Sequence, residues 1–103
     1  MIHVIATISV KPGNKIKVLS ELLRIQPLVL AERGCHQYEP LLDVDSRLSR
    51  QETFRADTIV LLEQWESLED LKVHLDTPHL KEYQELVSPY IQDVSLQILQ
   101  KAN

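Results

Sequence analysis

Four stretches of the chain have the patterns of β-strands. Residues 2–10 alternate between apolar and polar positions, and residues 94–99 do so again near the end of the chain. Residues 35–44 are extended around a central tyrosine, and residues 58–65 form a β-branched, apolar run that ends at the single tryptophan. On the first strand the alternation separates two faces: one carries Val4, Ala6, Ile8 and Val10, and the other carries His3, Ile5, Thr7 and Ser9.

The first helical pattern follows the Lys11–Asn14 turn and is predicted to run to about Arg33. Pro27 lies inside this pattern and has no N–H, so we expect a bend or pause there. Gly34 is predicted to end the helix in a left-handed conformation. The predicted buried stripe consists of Ile16, Leu19, Leu22 and Leu23.

Two shorter helices are predicted between the third and fourth strands. Ser67 is a candidate N-cap for the first, because its hydroxyl can accept a hydrogen bond from the backbone N–H near Asp70. Pro78 can open the second helix at its first turn, and Pro89 marks its approximate end. The predicted buried stripes are Leu68, Leu71 and Leu75, with His74 at the edge, and then Leu80, Tyr83, Leu86, Val87 and Tyr90.

The order of these elements predicts one α+β domain over residues 1–103 with the ferredoxin-like, split βαβ arrangement (β-α-β-β-α-β). A four-stranded antiparallel sheet would carry all its helices on one face. Residues 45–57 are mostly polar and are interpreted as a long connection between two strands. The helix-free face would expose apolar side chains such as Ile5 and Leu99, which favours packing against another chain.

Composition narrows the possible partners. The chain has 15 acidic and 11 basic residues, a net charge of −4 and no run of Lys or Arg, which argues against nucleic acid as a partner. Cys35 is the only cysteine, so no internal disulfide is possible, and we expect it to be a small buried hydrophobe. The first residues lead directly into a strand, and no segment is long and apolar enough to span a membrane. We therefore expect a soluble, cytoplasmic protein.

Several motifs occur in a characteristic order. Glu63 and Trp65 end a strand, a short amphipathic helix carries His74, and Thr77-Pro78-His79 forms a corner, while the Gly34–Glu39 segment opens the preceding strand. Together they resemble the antibiotic biosynthesis monooxygenase family, over essentially the whole chain. The resemblance implies a dimeric α+β barrel in which two chains pack sheet against sheet.

The resemblance implies three classes of activity: oxidation of quinol-like or polycyclic aromatic substrates without metal or flavin, haem degradation, and isomerisation of a phosphorylated sugar. Family members that oxidise polyketides carry Asn and Tyr where this chain has Leu61 and Leu71. Haem-degrading members carry Trp at the position of His74 and an iron-ligating His at that of Gln84. These differences disfavour both of those routes. The pattern from Glu63 to His79, together with the lack of metal and nucleotide motifs, leads us to predict a cofactor-independent monooxygenase that oxidises a small aromatic quinol-like substrate with dioxygen.

The predicted site is a pocket between the sheet and the helices. His74 and His79 are predicted to be catalytic, because a neutral imidazole can take a proton from a phenol, and Trp65, Tyr83 and Tyr38 are predicted to bind the substrate. The ring of His74 is expected to face the pocket with one nitrogen fixed by a neighbour. His79 is expected near the mouth, kept neutral by the helix dipole. The alternative is that the histidines are structural and that Trp65 belongs to the core.

Other interpretations remain open at this point. His74 and His79 are five residues apart and lack the spacing of a helical zinc pair, so no metal is predicted. A sugar-phosphate isomerase would use Arg47, Arg50 or Arg55 to bind the phosphate. A dimeric domain that binds an apolar metabolite without catalysis is the third possibility. His3 and His36 lie in strands, and either could face the pocket.

Overall fold

A computed structural model describes residues 1–103 and confirms the predicted α+β, ferredoxin-like fold. The elements are β1 (Ile2–Val10), α1 (Lys15–Leu30), β2 (Cys35–Leu41), β3 (Thr58–Trp65), α2 (Leu68–Leu75), α3 (Pro78–Val87) and β4 (Ile91–Leu99), with a 3₁₀ turn at Ser88–Tyr90. All strand pairs are antiparallel, and the sheet order is β2-β3-β1-β4, so the first and last strands of the chain are neighbours. No helix has both the length and the apolar character needed to cross a membrane.

The strand register separates the two faces of the sheet as the alternation predicts. Ala6 on β1 lies opposite Leu61 on β3 and Leu96 on β4, and directly opposed residues share one face. This inner face packs against the helices and buries the alternating apolar residues of β1. The outer face carries Ile5 opposite Leu62 and has no helix on it.

Helix α1 differs from its predicted form in four respects. It ends at Leu30 rather than near Arg33, and it continues through Pro27 without a pause. Gly34 has a positive φ of 79° but belongs to the turn before β2, so the prediction that it ends the helix is wrong. The buried face is also rotated, because Ile16 and Leu23 are exposed and the core is met by Val18, Leu22, Ile25 and Val29.

The hydroxyl of Ser67 accepts a hydrogen bond from the backbone N–H of Asp70, so the predicted N-cap of α2 is confirmed. The predicted leucine stripe is wrong in part, since Leu68 and Leu75 are both 45% exposed. The buried residues of α2 are Leu71 and His74. A histidine thus occupies the inward position that the apolar pattern assigns to leucine. On α3, Leu80, Tyr83 and Val87 face the core as predicted, whereas Leu86 is exposed.

The connection between β2 and β3 spans residues 42–57, because β2 ends at Leu41 rather than Val44. Its base is closed by Arg55, whose guanidinium donates to both carboxylate oxygens of Asp43, at 2.9 Å and 2.8 Å. This long segment joins β3 to β2, the edge strand opposite β4.

Candidate active site

A cavity of about 420 Å³ lies between the inner face of the sheet and the helices. Its deep end is formed by buried residues, and its mouth lies between α3 and β4, where the lining residues Gln84, Val94 and Leu96 are exposed. Twelve of the sixteen lining residues are hydrophobic, which suits an apolar ligand with a few polar groups. The cavity is lined by Ala6, Ile8, Leu22, Tyr38, Leu61, Glu63, His74, Leu75, Leu80, Tyr83, Gln84, Val87, Ser88, Ile91, Val94 and Leu96.

His74 is a buried polar residue on the wall of this cavity. Its Nδ1 lies 3.0 Å and 3.2 Å from the two carboxylate oxygens of Glu32, which follows α1 in the chain. Both hydrogen bonds of the ring use Nδ1, so Nε2 is left for a ligand. Burial lowers the pKa of His74 below 6.5, and the contact with Glu32 opposes that shift. The expected arrangement, a ring at the cavity with one nitrogen fixed, is present.

Two aromatic rings hold the imidazole of His74 in place. The ring of Trp65 is tilted against it with 4.7 Å between centroids, and Tyr38 meets it edge-on at 5.6 Å. Trp65 is completely buried and does not line the cavity. The expectation that Trp65 borders the pocket is therefore wrong, because His74 lies against its indole and Glu63 takes its N–H.

Glu63 is the second titratable group at the deep end of the cavity, and it is 5% exposed. Its Oε1 accepts a hydrogen bond of 2.9 Å from the indole N–H of Trp65. Burial raises the pKa of Glu63 to about 7, although the hydrogen bond from Trp65 acts in the opposite direction. A substantial fraction of this carboxyl is therefore protonated at neutral pH and can donate a hydrogen bond.

His79 does not line the cavity, in contrast to the expectation that it lies at the mouth. Its Nε2 is 2.7 Å from Oε2 of Glu32, the same oxygen that is 3.0 Å from Nδ1 of His74. One carboxylate thus joins histidines from α2 and α3 to the end of α1. The structure contains no group of three or more His, Cys, Asp or Glu side chains arranged to hold a metal ion.

Tyr38 and Tyr83 both line the cavity, which is where the sequence places them. Burial raises the pKa of Tyr38 well above 10 and that of Tyr83 to about 12, so both phenols remain protonated at neutral pH. The remaining two histidines are elsewhere. His3 lies on the outer face of β1, opposite Gln64, and His36 pairs with Glu66 at the surface.

The arginines of the β2–β3 connection do not line the cavity. The guanidinium of Arg55 donates to the carboxylate of Asp43, and Nε of Arg47 lies 3.2 Å from Oδ2 of Asp45. Arg50 is exposed. The arrangement therefore offers no preformed phosphate clamp at the cavity, which disfavours the sugar-phosphate interpretation.

The candidate site includes two carboxylates that the sequence interpretation did not assign to it. Glu63 could have been found, because it occupies an inward position of β3 between Leu61 and Trp65, where a charged residue is unusual. Glu32 has no comparable signal, since it lies in a polar turn after α1 and reaches the histidines only through tertiary folding.

Comparison with known proteins agrees with this architecture. Residues 1–86 match the family model described as antibiotic biosynthesis monooxygenase. The chain is 42% identical over 102 residues to the probable quinol monooxygenase YgiN of Escherichia coli K12, covering 97% of each chain. Among solved structures it resembles PA3566 from Pseudomonas aeruginosa, with a TM-score of 0.81 and 25% identity over 99% of this chain and 94% of that one.

Rv0793 from Mycobacterium tuberculosis is a second structural relative, with a TM-score of 0.81 and 22% identity over 99% of this chain and 95% of that one. At that identity the likeness supports the fold alone. The family model covers most of the chain, and the E. coli relative is similar over almost its whole length. The chain belongs to the antibiotic biosynthesis monooxygenase family.

Proposed function

We propose that this protein is a cofactor-independent monooxygenase that oxidises a small aromatic quinol with dioxygen. The observation that carries the proposal is His74, a buried imidazole with Nδ1 held by Glu32 and with Nε2 available at an apolar cavity. Support also comes from the similarity to YgiN, which is described as a probable quinol monooxygenase.

His74 is the proposed base. Its lowered pKa leaves the imidazole neutral at pH 7, so Nε2 can accept the proton of a quinol hydroxyl. The carboxylate of Glu32 fixes the ring orientation and stabilises the imidazolium that results. The quinol becomes a phenolate, which is a much better electron donor to dioxygen than the neutral phenol.

The cavity has the size and polarity for this substrate class. Ligand pockets in proteins usually measure about 300–1,000 Å³, and the present volume of about 420 Å³ suits one small aromatic molecule. Hydrogen bonds to a developing phenolate can come from the Tyr38 hydroxyl and from the protonated form of Glu63, since both groups line the cavity. The apolar walls also suit dioxygen, which is itself apolar.

The proposed reaction balances without an external reductant. The quinol supplies all four electrons that dioxygen accepts: one oxygen atom enters the ring to give a hydroxyquinone, and the second oxygen atom leaves as water. Simple two-electron oxidation would instead give the unhydroxylated quinone and hydrogen peroxide. The two outcomes are distinguished by the fate of the oxygen atoms.

The experiment is oxygen consumption with a panel of benzoquinols and naphthoquinols, measured against autoxidation without enzyme, in oxygen-18 gas. We expect one labelled oxygen atom in the product. His74→Gln should reduce the rate by about 10²-fold or more, and His36→Gln, which changes a surface histidine, should not. Absence of turnover with every quinol would refute the proposal, and hydrogen peroxide without labelled product would make the protein an oxidase.

The proposed functional unit is a homodimer, as the resemblance to the family suggests. Support comes from the helix-free outer face of the sheet, where Ile5, Val60, Leu62 and Leu99 form apolar positions. We expect light scattering to give twice the 11.9 kDa of one chain. Leu62→Arg should produce monomers, whereas Val73→Arg, on the exposed side of α2, should not. A monomeric wild-type protein would contradict this assignment.

A binding domain without catalysis is the remaining alternative. It predicts that His74→Gln leaves the affinity for a quinone almost unchanged and that the wild-type protein does not accelerate oxygen consumption. Quinone titrations of the wild-type protein and of His74→Gln would test the first point. Binding can be monitored by quenching of the Trp65 fluorescence, because the indole lies against the His74 ring.

A further inference from the structure

The cluster of Glu32, His74 and His79 contains one carboxylate and two imidazoles that share it. The Glu32 side chain is only 10% exposed, and its ion-pair partners are these two histidines alone. A carboxylate that is removed from water needs a compensating charge. A proton on one of the two imidazole rings would supply that positive charge.

The two rings differ in how costly it is to charge them. The His74 side chain is 3% exposed and lies against Trp65 and Tyr38, whereas the His79 side chain is 21% exposed. Desolvation penalises an imidazolium more strongly at the buried position. His79 also makes the shorter contact with Glu32, at 2.7 Å against 3.0 Å. His79 is therefore the ring of the pair that is less costly to charge.

Other charges near the cluster do not alter this assignment. The dipole of α3 opposes a positive charge on His79, but it corresponds to about half an elementary charge, whereas the Glu32 carboxylate carries a full one in direct contact. From the sheet, the facing titratable groups are Cys35, Tyr38 and Glu63, and burial favours the neutral form of each because it raises their pKa values.

We propose that Glu32, His74 and His79 act as one proton-storing unit, in which transfer of the substrate proton to His74 drives the proton on His79 out to water. The inference rests on the proposed function and assigns His79 a role without contact to the substrate. When His74 becomes an imidazolium, two positive rings face one carboxylate. The second charge repels the first, and the more exposed ring loses its proton.

The protons balance over the reaction, because the two quinol hydroxyls supply the two protons of the water that leaves and the cluster handles one of them. The quinol hydroxyl gives one proton to Nε2 of His74, and His79 releases one proton to water, so the cluster keeps the same charge. His74 returns to its neutral form when it passes its proton to the reduced oxygen species that leaves as water. His79 then regains a proton from solvent. His79 and Glu32 are thus positioning residues, and His74 is the group at the reacting atoms.

The first test needs no turnover and follows the imidazole resonances of His74 by NMR from pH 5 to 8. In His79→Gln, whose amide can still donate to Glu32, His74 becomes the only ionisable partner, and its midpoint should rise above that of the wild-type protein. In Glu32→Gln the midpoint should fall below that of the wild-type protein. A cluster that is only structural would loosen in both variants, and both midpoints would move toward 6.5.

The second test uses a quinol that the wild-type protein oxidises. His79→Gln should lose at least about tenfold in rate, and imidazole added to the buffer should restore it by acting as a mobile proton carrier. His36→Gln is the control. A loss without rescue, or unchanged His74 midpoints in both variants, would overturn the proposal. If no quinol is oxidised, the proposed function fails, while the NMR result still decides the coupling.

Discussion

Replacing Glu63 by Gln should stabilise the protein at alkaline pH and have much less effect near pH 4.5. The carboxyl is buried at the deep end of the cavity, and burial raises its pKa from 4.5 to about 7. Its hydrogen bond from the indole N–H of Trp65 can be kept by the amide oxygen of Gln. The substitution therefore removes the titration and preserves the contact.

The sign follows from comparing the folded and unfolded chains. Below pH 4.5 both hold the proton on Glu63, so ionisation has no influence on stability. Between 4.5 and 7 the unfolded chain ionises first, so the free energy of unfolding falls as the pH rises. Above about 7 the loss is complete. At about 1.4 kcal/mol for each pKa unit, the shift from 4.5 to about 7 corresponds to about 3 kcal/mol.

The assay is urea unfolding followed by the fluorescence of Trp65, the single tryptophan, at several pH values from 4.5 to 8.5. The unfolding free energy of Glu63→Gln minus that of the wild-type protein should grow by about 3 kcal/mol across this range. His74, whose pKa is lowered, contributes stability that is lost as pH falls below 6.5, and this term cancels in the difference. Glu39→Gln, at an exposed position of β2, is the matched control.

A difference between the two proteins that does not depend on pH would refute this reasoning. The same would follow if Glu39→Gln reproduced the trend, because a pH dependence shared with an exposed carboxyl cannot arise from burial. The native protein provides an independent check. Its Trp65 emission should titrate near pH 7 through the Glu63 contact, and this transition should be absent from Glu63→Gln.

Three further outcomes test other parts of the structure. In the pH profile of kcat/KM for a quinol, the acid limb should have a pKa below 6.5, because His74 must be neutral to act as the base. An alkaline limb near pH 7 should reflect ionisation of Glu63 and should disappear in Glu63→Gln. A profile with a single limb whose pKa is above 6.5 would contradict the assignment of the base. Ser67→Ala should cost about 1 kcal/mol of unfolding free energy by loss of the α2 cap, whereas Ser67→Thr should keep most of it; equal losses would argue against capping. Gly34→Ala should destabilise by about 1–3 kcal/mol more than Gly13→Ala, because both glycines have positive φ but only a Cβ at Gly34 would collide with the Asp70 side chain. Similar values for the two substitutions would argue against that collision.

The two faces of β1 follow directly from the sequence, because alternation with a period of two places successive side chains on opposite sides of a sheet. The inward residues of β1 and the outward position of Ile5 are where the pattern puts them. The cap at Ser67 is equally local, since hydroxyl and backbone N–H are three residues apart.

The sequence determines less well which face of each helix is buried, because leucines lie on several sides of each helix. Helix α1 offers two overlapping apolar stripes, and contact with the sheet selects the one through Val18, Leu22, Ile25 and Val29. On α2 the same selection turns His74 inward and leaves Leu68 and Leu75 partly exposed. Propensity and spacing do not distinguish these alternatives, because the choice depends on which stripe meets the inner face of the sheet.

The candidate site could be predicted from the sequence only in part, and the rest depended on the tertiary structure. The presence of His74, His79, Trp65, Tyr38 and Tyr83 near one another could be expected from the family resemblance. Their arrangement could not: Trp65 lies behind His74 rather than at the cavity, and His79 is joined to His74 by Glu32, which is 42 residues from the first histidine and 47 from the second. Only the tertiary structure brings the end of α1 to the ends of α2 and α3. Sequence alone therefore determined which side chains were available, and folding decided which of them meet at Glu32, because a hydrogen bond across that separation depends on how three helices pack on the sheet.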